Sequence, residues 1–398
     1  MILNRKEVSS KQNIGVYVHW PFCLSLCPYC DFNSHVATKK IAVEQWESAY
    51  IKQLELQVSQ LTSINKYKLV SVFFGGGTPS LMPPQLTQSI INKICTIFNA
   101  RPNNIEITLE SNPTSVEASK MQHFKDAGIN RVSMGIQSFI DNDLKLMGRQ
   151  HSANEAKQAL GHIKKCFDNF SFDLIFARPL QKNANWVNEI NEAMEYSANH
   201  ISAYQLTIEK GTPFYRMQQK GELQLPTPEE MEKIYFTTQN TLANNKYHRY
   251  EVSNYCKNNQ YSKHNMLYWE SCDYLGIGAG AYGRITNSDG QRSELVSIHD
   301  PYKWLSSLKD DDGLQKKSII SEVEVATEVL MMGSRIANGI NIKHLSNNFN
   351  FNISNYISED NLQFLLNNKL ITMQDNHIKP TEKGLNFHNV IANRLVSF

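Results

Sequence analysis

The chain has 398 residues, 41% of them hydrophobic, and a formal net charge of +2. That length suggests two or three domains and a sizeable core, and so balanced a charge supplies no long-range field toward nucleic acid or a membrane surface. No apolar run approaches the ~18 residues of a membrane span, and the polar stretch Met1 to Lys11 has no signal-type apolar region, so a cytoplasmic location is expected.

In chain order, Ile14 to His19 reads as a strand rich in β-branched and aromatic residues. A cysteine-bearing loop follows, then an amphipathic helix over Val43 to Leu61 with Tyr50, Leu54 and Leu61 among its apolar positions. Lys68 to Phe74 is a second strand and runs into Gly75-Gly76-Gly77-Thr78-Pro79-Ser80; Gln85 to Phe98 is helical in pattern. Ile105 to Leu109 is a third strand, ending at Glu110-Ser111-Asn112-Pro113, and Ser115 to Ala127 is a helix closed by Gly128. Arg131 to Ile136 is the fourth strand, with Gln137-Ser138-Phe139 after it. Helical stretches at Asp141 to Met147 and Ala153 to Cys166 lead to a fifth strand, Ser171 to Phe176. The helix Trp186 to Ala198 and a sixth strand, Ile201 to Ile208, complete the series.

Such alternation implies right-handed βαβ units and a parallel sheet. The expected fold is α/β: a partial, open (β/α)6 barrel over residues 1–220, then a connecting and substrate-covering region over 221–320. Residues 321–398 form a C-terminal winged-helix-like unit, with helices at Val323 to Ala337 and Asn361 to Leu366. It ends in a hairpin, Leu370 to Lys379, around Asp375-Asn376 and a last helix, Glu382 to Leu395. Winged helices often bind DNA, yet from Ser321 on there are six Lys/Arg against seven Asp/Glu, without the basic footprint such binding needs. No nucleic-acid partner is expected.

The chemistry sits on the loops after the strands. Cys23, Cys27 and Cys30 stand at i, i+4 and i+7, so their thiolates can converge on one metal centre. A 4Fe–4S cluster normally takes four cysteines; three leave one iron open to an exchangeable molecule. Structural zinc, with His19 or His35 as fourth ligand, is the competing reading. Seven cysteines in all, three of them clustered, suit a reducing compartment better than a disulfide framework. Cys95, Cys166, Cys256 and Cys272 read as packing. The triple glycine allows close backbone approach, and its N–H groups can bind an anion. No Gly-Lys-Ser/Thr follows it, so it is not a phosphate-binding loop of the usual kind.

Taken together, Tyr17-Val18-His19-Trp20-Pro21-Phe22-Cys23, Gly75 to Pro79, Glu110, Gly135 to Phe139, Arg149 with His151 and Asp173 to Phe176 resemble the radical S-adenosylmethionine (SAM) superfamily. The similarity is greatest to the oxygen-independent coproporphyrinogen III oxidases and the related haem chaperones. The resemblance implies a cluster on Cys23, Cys27 and Cys30 with SAM on its open iron. It implies SAM contacts from Tyr17, Tyr29, Gly76, Gly77, Thr78, Glu110, Gln137, Arg149 and Asp173. SAM carries an ammonium and a sulfonium, which want a carboxylate, and a carboxylate, which wants an Arg or an N–H.

Two places separate the branches. The oxidases carry a fourth cysteine where this chain has Phe32, and His264-Asn265-Met266-Leu267-Tyr268-Trp269 is similar to an element of the chaperone branch associated with haem. The resemblance therefore implies His264 as a haem ligand, a neutral His being a good axial ligand. The plain alternative is a loop-capping His264 beside a core Tyr268 and Trp269. The first expectation is a haem chaperone that passes haem to an acceptor haem protein, with any membrane contact only through that acceptor. The second is an oxidase that decarboxylates coproporphyrinogen III. The third is a binding module with a structural metal. Gly276 to Ala281 reads either as a closing segment or as tight packing turns. One departure stands out: the family's Gly-Leu-Pro-Gly-Gln is here Ala177-Arg178-Pro179-Leu180-Gln181, which removes two glycines and adds a cation near the expected SAM mouth.

Overall fold

The computed structural model describes residues 11–39 and 41–396. The polar N-terminal stretch lies outside the described residues, Lys11 apart. Six parallel strands form the centre: Gln12–Trp20, Tyr67–Gly76, Glu106–Ser111, Arg131–Gln137, Phe170–Phe176 and His200–Gln205. Each pairs in parallel with the next. Their buried runs and covering helices are those of a sheet dry on both faces. Among the described residues the sheet has twelve strands in a linear order that does not close on itself, so the barrel is open.

The expected six units are therefore present, with small shifts at their ends. The stretch 115–127 is two short helices, Ser115–Ala118 and Met121–Asp126, rather than one. Gly128 closes the second with φ +107°, the left-handed stop that glycine allows.

The region after the sixth strand builds more of the sheet. Asp273–Ile277 pairs in parallel with the first strand. The antiparallel strands Tyr282–Thr286, Arg292–Ser297 and Leu314–Ile319 extend that edge. Two buried glutamines on the helix Val43–Val58 attach the added strand. Gln57 Nε2 donates to the Gly276 carbonyl (2.7 Å), and the N–H groups of Gly276 and Gly278 donate to Gln57 and Gln53. The segment Gly276 to Ala281 is thus packed backbone. A Cβ at Gly278 would meet the His19 carbonyl at 2.3 Å.

The C-terminal unit has its own core, in which Val329, Leu345, Phe349, Leu365, Ile378 and Ile391 are buried together. Its helices are Glu322–Gly333, Ile342–Phe349, Glu359–Asn367, Glu382–Asn386 and His388–Leu395. Ile371–Gln374 and His377–Pro380 form the expected hairpin. Both Asp375 and Asn376 have positive φ, as a two-residue primed turn requires. The helix Ile342–Phe349 was not expected; a run ending in Asn-Asn-Phe-Asn has weak helical character, and burial of Ile342, Leu345 and Phe349 supplies the stability.

The turn after the fifth strand keeps a glycine-like backbone without glycine. Ala177 has φ +56° and Leu180 φ +62°. Each residue with a Cβ there costs roughly 1–2 kcal/mol. Leu180 is 64% exposed, so its side chain returns little packing. Leu180→Gly is expected to stabilise the protein by about 0.5–1 kcal/mol, the strain relief less the added chain entropy. Urea unfolding checks this, and a lower midpoint would show that Leu180 makes an apolar contact worth more than the strain.

Candidate functional site

The carboxyl ends of the six parallel strands converge on a cavity of about 470 Å³. Cys23, Cys27 and Cys30 line it, together with Tyr29, Gly76, Gly77 and Thr78. Glu110, Gln137, Arg149 and Asp173 complete the expected set on the same wall. Tyr17 stands instead in the wall of a neighbouring chamber, and His264 lines neither.

Among the described residues, no three His, Cys, Asp or Glu side chains are grouped closely enough to hold a single metal ion. The zinc alternative also loses its fourth donor. His19 bonds Tyr17 through Nδ1 and the Asn33 carbonyl through Nε2, and His35 Nε2 bonds Asn33. Thiols set around a cavity suit a cluster whose irons each take one. Thr78 Oγ1 donates to Cys23 Sγ (3.3 Å), and Arg149 Nη1 approaches Cys27 Sγ at 3.8 Å. Burial pushes the Cys23 thiol up to about 11 and raises Cys30, so positive iron is what would hold them as thiolates.

In the lining of this cavity, Gln137 Oε1, an acceptor, and Arg149 Nε, a donor, are buried without a protein partner. A ligand with both a cationic and an anionic end fits that pair. Two carboxyls add to the cationic side. Burial lifts Glu110 to about 8, helped by the nearby Asp173 and opposed by the N–H of Gly76 and by Arg131. Burial lifts Asp173 to about 6 against hydrogen bonds from Ser202 and Ser133.

The triple glycine works differently from the sequence expectation. Gly76 N–H donates to Glu110 Oε2 (3.2 Å), Gly77 N–H to the Trp20 carbonyl and Thr78 N–H to the Phe22 carbonyl. These donors are spent inside the protein, so they hold the loop rather than an anion. The glycines are needed for space: a Cβ on Gly76, at φ +109°, would meet the His19 ring at 2.5 Å. Sequence reasoning also missed Asn112. Its amide donates to Thr78 Oγ1 and its carbonyl oxygen accepts from Arg149 Nη2 (2.6 Å), tying the glycine loop to the arginine. Its place just past a strand end was the available signal. Arg178 does not reach the cavity mouth. It is fully buried behind the wall, paired with Glu189 and Asp143.

The second chamber, about 430 Å³, shares Phe32, Gly76 and Glu110 with the first. Tyr17, Tyr268, Trp269, Tyr274 and Tyr282 give it an aromatic wall, and Arg284, Arg292, Glu328 and Met332 close it on the side of the C-terminal unit. His264 lies behind this wall, 1% exposed. Its Nδ1 bonds Ser71 Oγ (2.8 Å) and its Nε2 bonds the Tyr268 hydroxyl (2.7 Å). Burial, with Arg131 nearby, lowers its pKa to about 3, so it is neutral.

The sequence matches the Radical SAM superfamily over residues 17–193 and the HemN C-terminal domain over residues 320–387. A relative from Danio rerio, "Radical S-adenosyl methionine domain-containing protein 1, mitochondrial", is 35% identical over 86% of this chain and 77% of its own length. "Heme chaperone HemW" of Buchnera aphidicola (Schizaphis graminum strain) is 33% identical over 87% of this chain and 89% of its own. Among solved structures, coproporphyrinogen III oxidase (HemN) from Escherichia coli superposes with a TM-score of 0.78 at 17% identity, covering 98% of this chain and 91% of that one. At that identity the likeness is one of fold.

The two lifted carboxyls set a pH dependence. A cationic ligand favours the ionised forms, whereas below pH 8 the free Glu110 is largely protonated, so binding must release a proton. SAM affinity of cluster-loaded protein is expected to rise between pH 6 and 7.5, by up to about tenfold per pH unit. Calorimetric titration checks it. The slope should flatten in Glu110→Gln, and an unchanged slope in that variant would remove Glu110 from the binding step.

Proposed function

The chain belongs to the radical SAM superfamily, in the HemN-like branch close to HemW, and from that premise we propose that it is a haem chaperone that binds haem and passes it to an acceptor haem protein. The aromatic chamber carries this reading. A flat macrocycle wants aromatic faces, a metal-facing donor and a cationic group for each propionate. The chamber has the first in Trp269, Tyr268 and Tyr282, and one such cation in Arg284; Arg292 backs it, 1% exposed and bonded to protein acceptors through Nε, Nη1 and Nη2. Trp269 Nε1 is buried without a partner, an open donor in that wall.

The cofactor set is a 4Fe–4S cluster, which Cys23, Cys27 and Cys30 would hold, and SAM. Such a cluster supplies a one-electron couple and an open iron position for SAM. This chain's residues do the holding. Glu110 and Asp173 would hold the cationic end of SAM and Arg149 its carboxylate, and Tyr29 and Thr78 line the same cavity beside the thiols.

His264 enters through Tyr268. With both nitrogens bonded, its ring orients the tyrosine, and an axial bond to haem iron requires Tyr268 to swing off Nε2. Phe32, at the position where the oxidases carry a fourth cysteine, borders both cavities and offers no ligand, which favours the chaperone over the oxidase. We propose a cytoplasmic location; relatives named mitochondrial place the same architecture in an organelle. Among the described residues no helix is long and apolar enough to cross a membrane.

Haem titration followed by visible absorbance tests the proposal. Wild type is expected to bind one haem per chain, and Trp269→Ala and Tyr282→Ala to weaken binding about fivefold to tenfold each. Tyr268→Phe frees His264 Nε2 and is expected to shift the absorbance maximum, a shift that His264→Ala in the same background removes. No saturable binding in wild type would overturn the chaperone reading. Unchanged affinity in all the chamber variants would move haem elsewhere on the protein.

A further inference from the structure

The departure at Ala177 to Gln181 has a structural counterpart at the SAM cavity. We infer that Arg178 is a positioning residue for SAM: through the buried Arg178–Glu189 pair it holds Gln137 in a left-handed conformation that presents its side chain to the cavity.

The fourth strand does not end regularly. Met134 pairs with Phe172, but Gln137 pairs with Leu174, so three steps on one strand face two on the other. This is a bulge, a device that re-aims a side chain. Gln137 takes φ +67°, a region that a residue with a Cβ enters only when its surroundings impose it. Its Oε1, in the cavity wall, is buried without a partner and waits for a donor.

The surroundings that impose it are specific. Arg178 Nη1 donates to the Gln137 carbonyl (3.2 Å) and to the Ile175 carbonyl (2.7 Å). Its Nε donates to Asp143, and its Nη2 pairs with Glu189. Glu189 Oε1 then accepts from Ser138 Oγ (2.6 Å) and from Phe139 N–H (2.8 Å). Three consecutive residues, Gln137 to Phe139, are thus fixed at a carbonyl, a hydroxyl and an amide by one ion pair. A guanidinium is suited to this because its planar fork bonds several acceptors at once. Arg178 lines neither of the two cavities, so its influence on SAM runs through Gln137.

The inference rests on the SAM cavity and not on the haem reading. The test uses full-length, cluster-loaded protein. Arg178→Met alone would leave Glu189 buried and unpaired, so it is combined with Glu189→Gln, which keeps an acceptor for Ser138 and Phe139. The double variant is expected to bind SAM about fivefold to tenfold more weakly, the loss of roughly one well-placed hydrogen bond. Its iron and sulfide content, haem affinity and melting temperature are expected to stay near wild type. In a Gln137→Ala background the same pair of changes is expected to cost less than about twofold, the non-additivity of residues acting through one another. SAM affinity within about twofold of wild type overturns the inference. So does a full, additive loss in the Gln137→Ala background, or a parallel fall of SAM affinity, haem affinity and melting temperature. If the double variant does not fold, Arg178→Lys is judged by the same criteria, since one ammonium keeps the charge but cannot span Gln137, Ile175 and Asp143. Haem titration of wild type is a separate arm, and its failure would end the chaperone proposal while leaving this one standing.

Discussion

Parallel pairing is the constraint on which the rest depends. Six strands run the same way, joined by helices that return along the outside, so the loops that follow them all emerge at one edge. The interior between those loops is partly dry, and charge is expensive there. The carboxyls of Glu110 and Asp173 are lifted, the Cys23 and Cys30 thiols are lifted, and the imidazoles of His19 and His151 are lowered to about 4. Desolvation is the leading cause in every case, and each group is moved toward its neutral form. A wall of groups waiting to be charged is completed by a ligand that brings the opposite charges. A metal cluster and a zwitterionic cation do that together.

The same edge explains which parts of the sequence were legible. Each parallel strand is a short apolar run followed by a turn signal, and its chemistry-bearing residues follow within a few positions. Local pattern was therefore enough for Cys23 to Cys30, Gly76, Glu110 and Gln137. The strand Asp273–Ile277 was not legible. It contains a glycine, and its partner, the first strand, lies more than 250 residues away in sequence. Its anchors, Gln53 and Gln57, look like solvent-facing positions on an amphipathic helix, yet both are buried because they bond strand backbone. The aromatic chamber was illegible for the same reason. Tyr17, Trp269, Tyr282 and Glu328 come from four separate segments, and no spacing rule joins them. His264 lies between these cases: the motif around it stood out, but the bonds that occupy both its nitrogens are tertiary.

Backbone conformation marks another limit. Glycine normally signals a left-handed turn, and its absence at 177 and 180 argued for a changed loop. The backbone is left-handed at both positions all the same. Between the two positions stands the buried Arg178, paired with Glu189 and the half-buried Asp143, while the Leu180 N–H is held by the Gln224 carbonyl and the Gln181 N–H by the Arg178 carbonyl. A sequence pattern reports local preference, whereas this turn is set by a network that overrides it, as strain at a functional edge commonly is.

The C-terminal unit extends this logic to the chamber. It has a separate apolar core, so burial alone does not fix it to the sheet. Charge does much of that work. Glu328 accepts from Arg284 Nε (2.8 Å) with one oxygen and from Arg292 Nε (3.1 Å) with the other. Arg292 is also bonded to Asp273 on the strand beside the first one. The helix Glu322–Gly333 therefore cannot leave the sheet edge without exposing two arginines whose other partners stay behind.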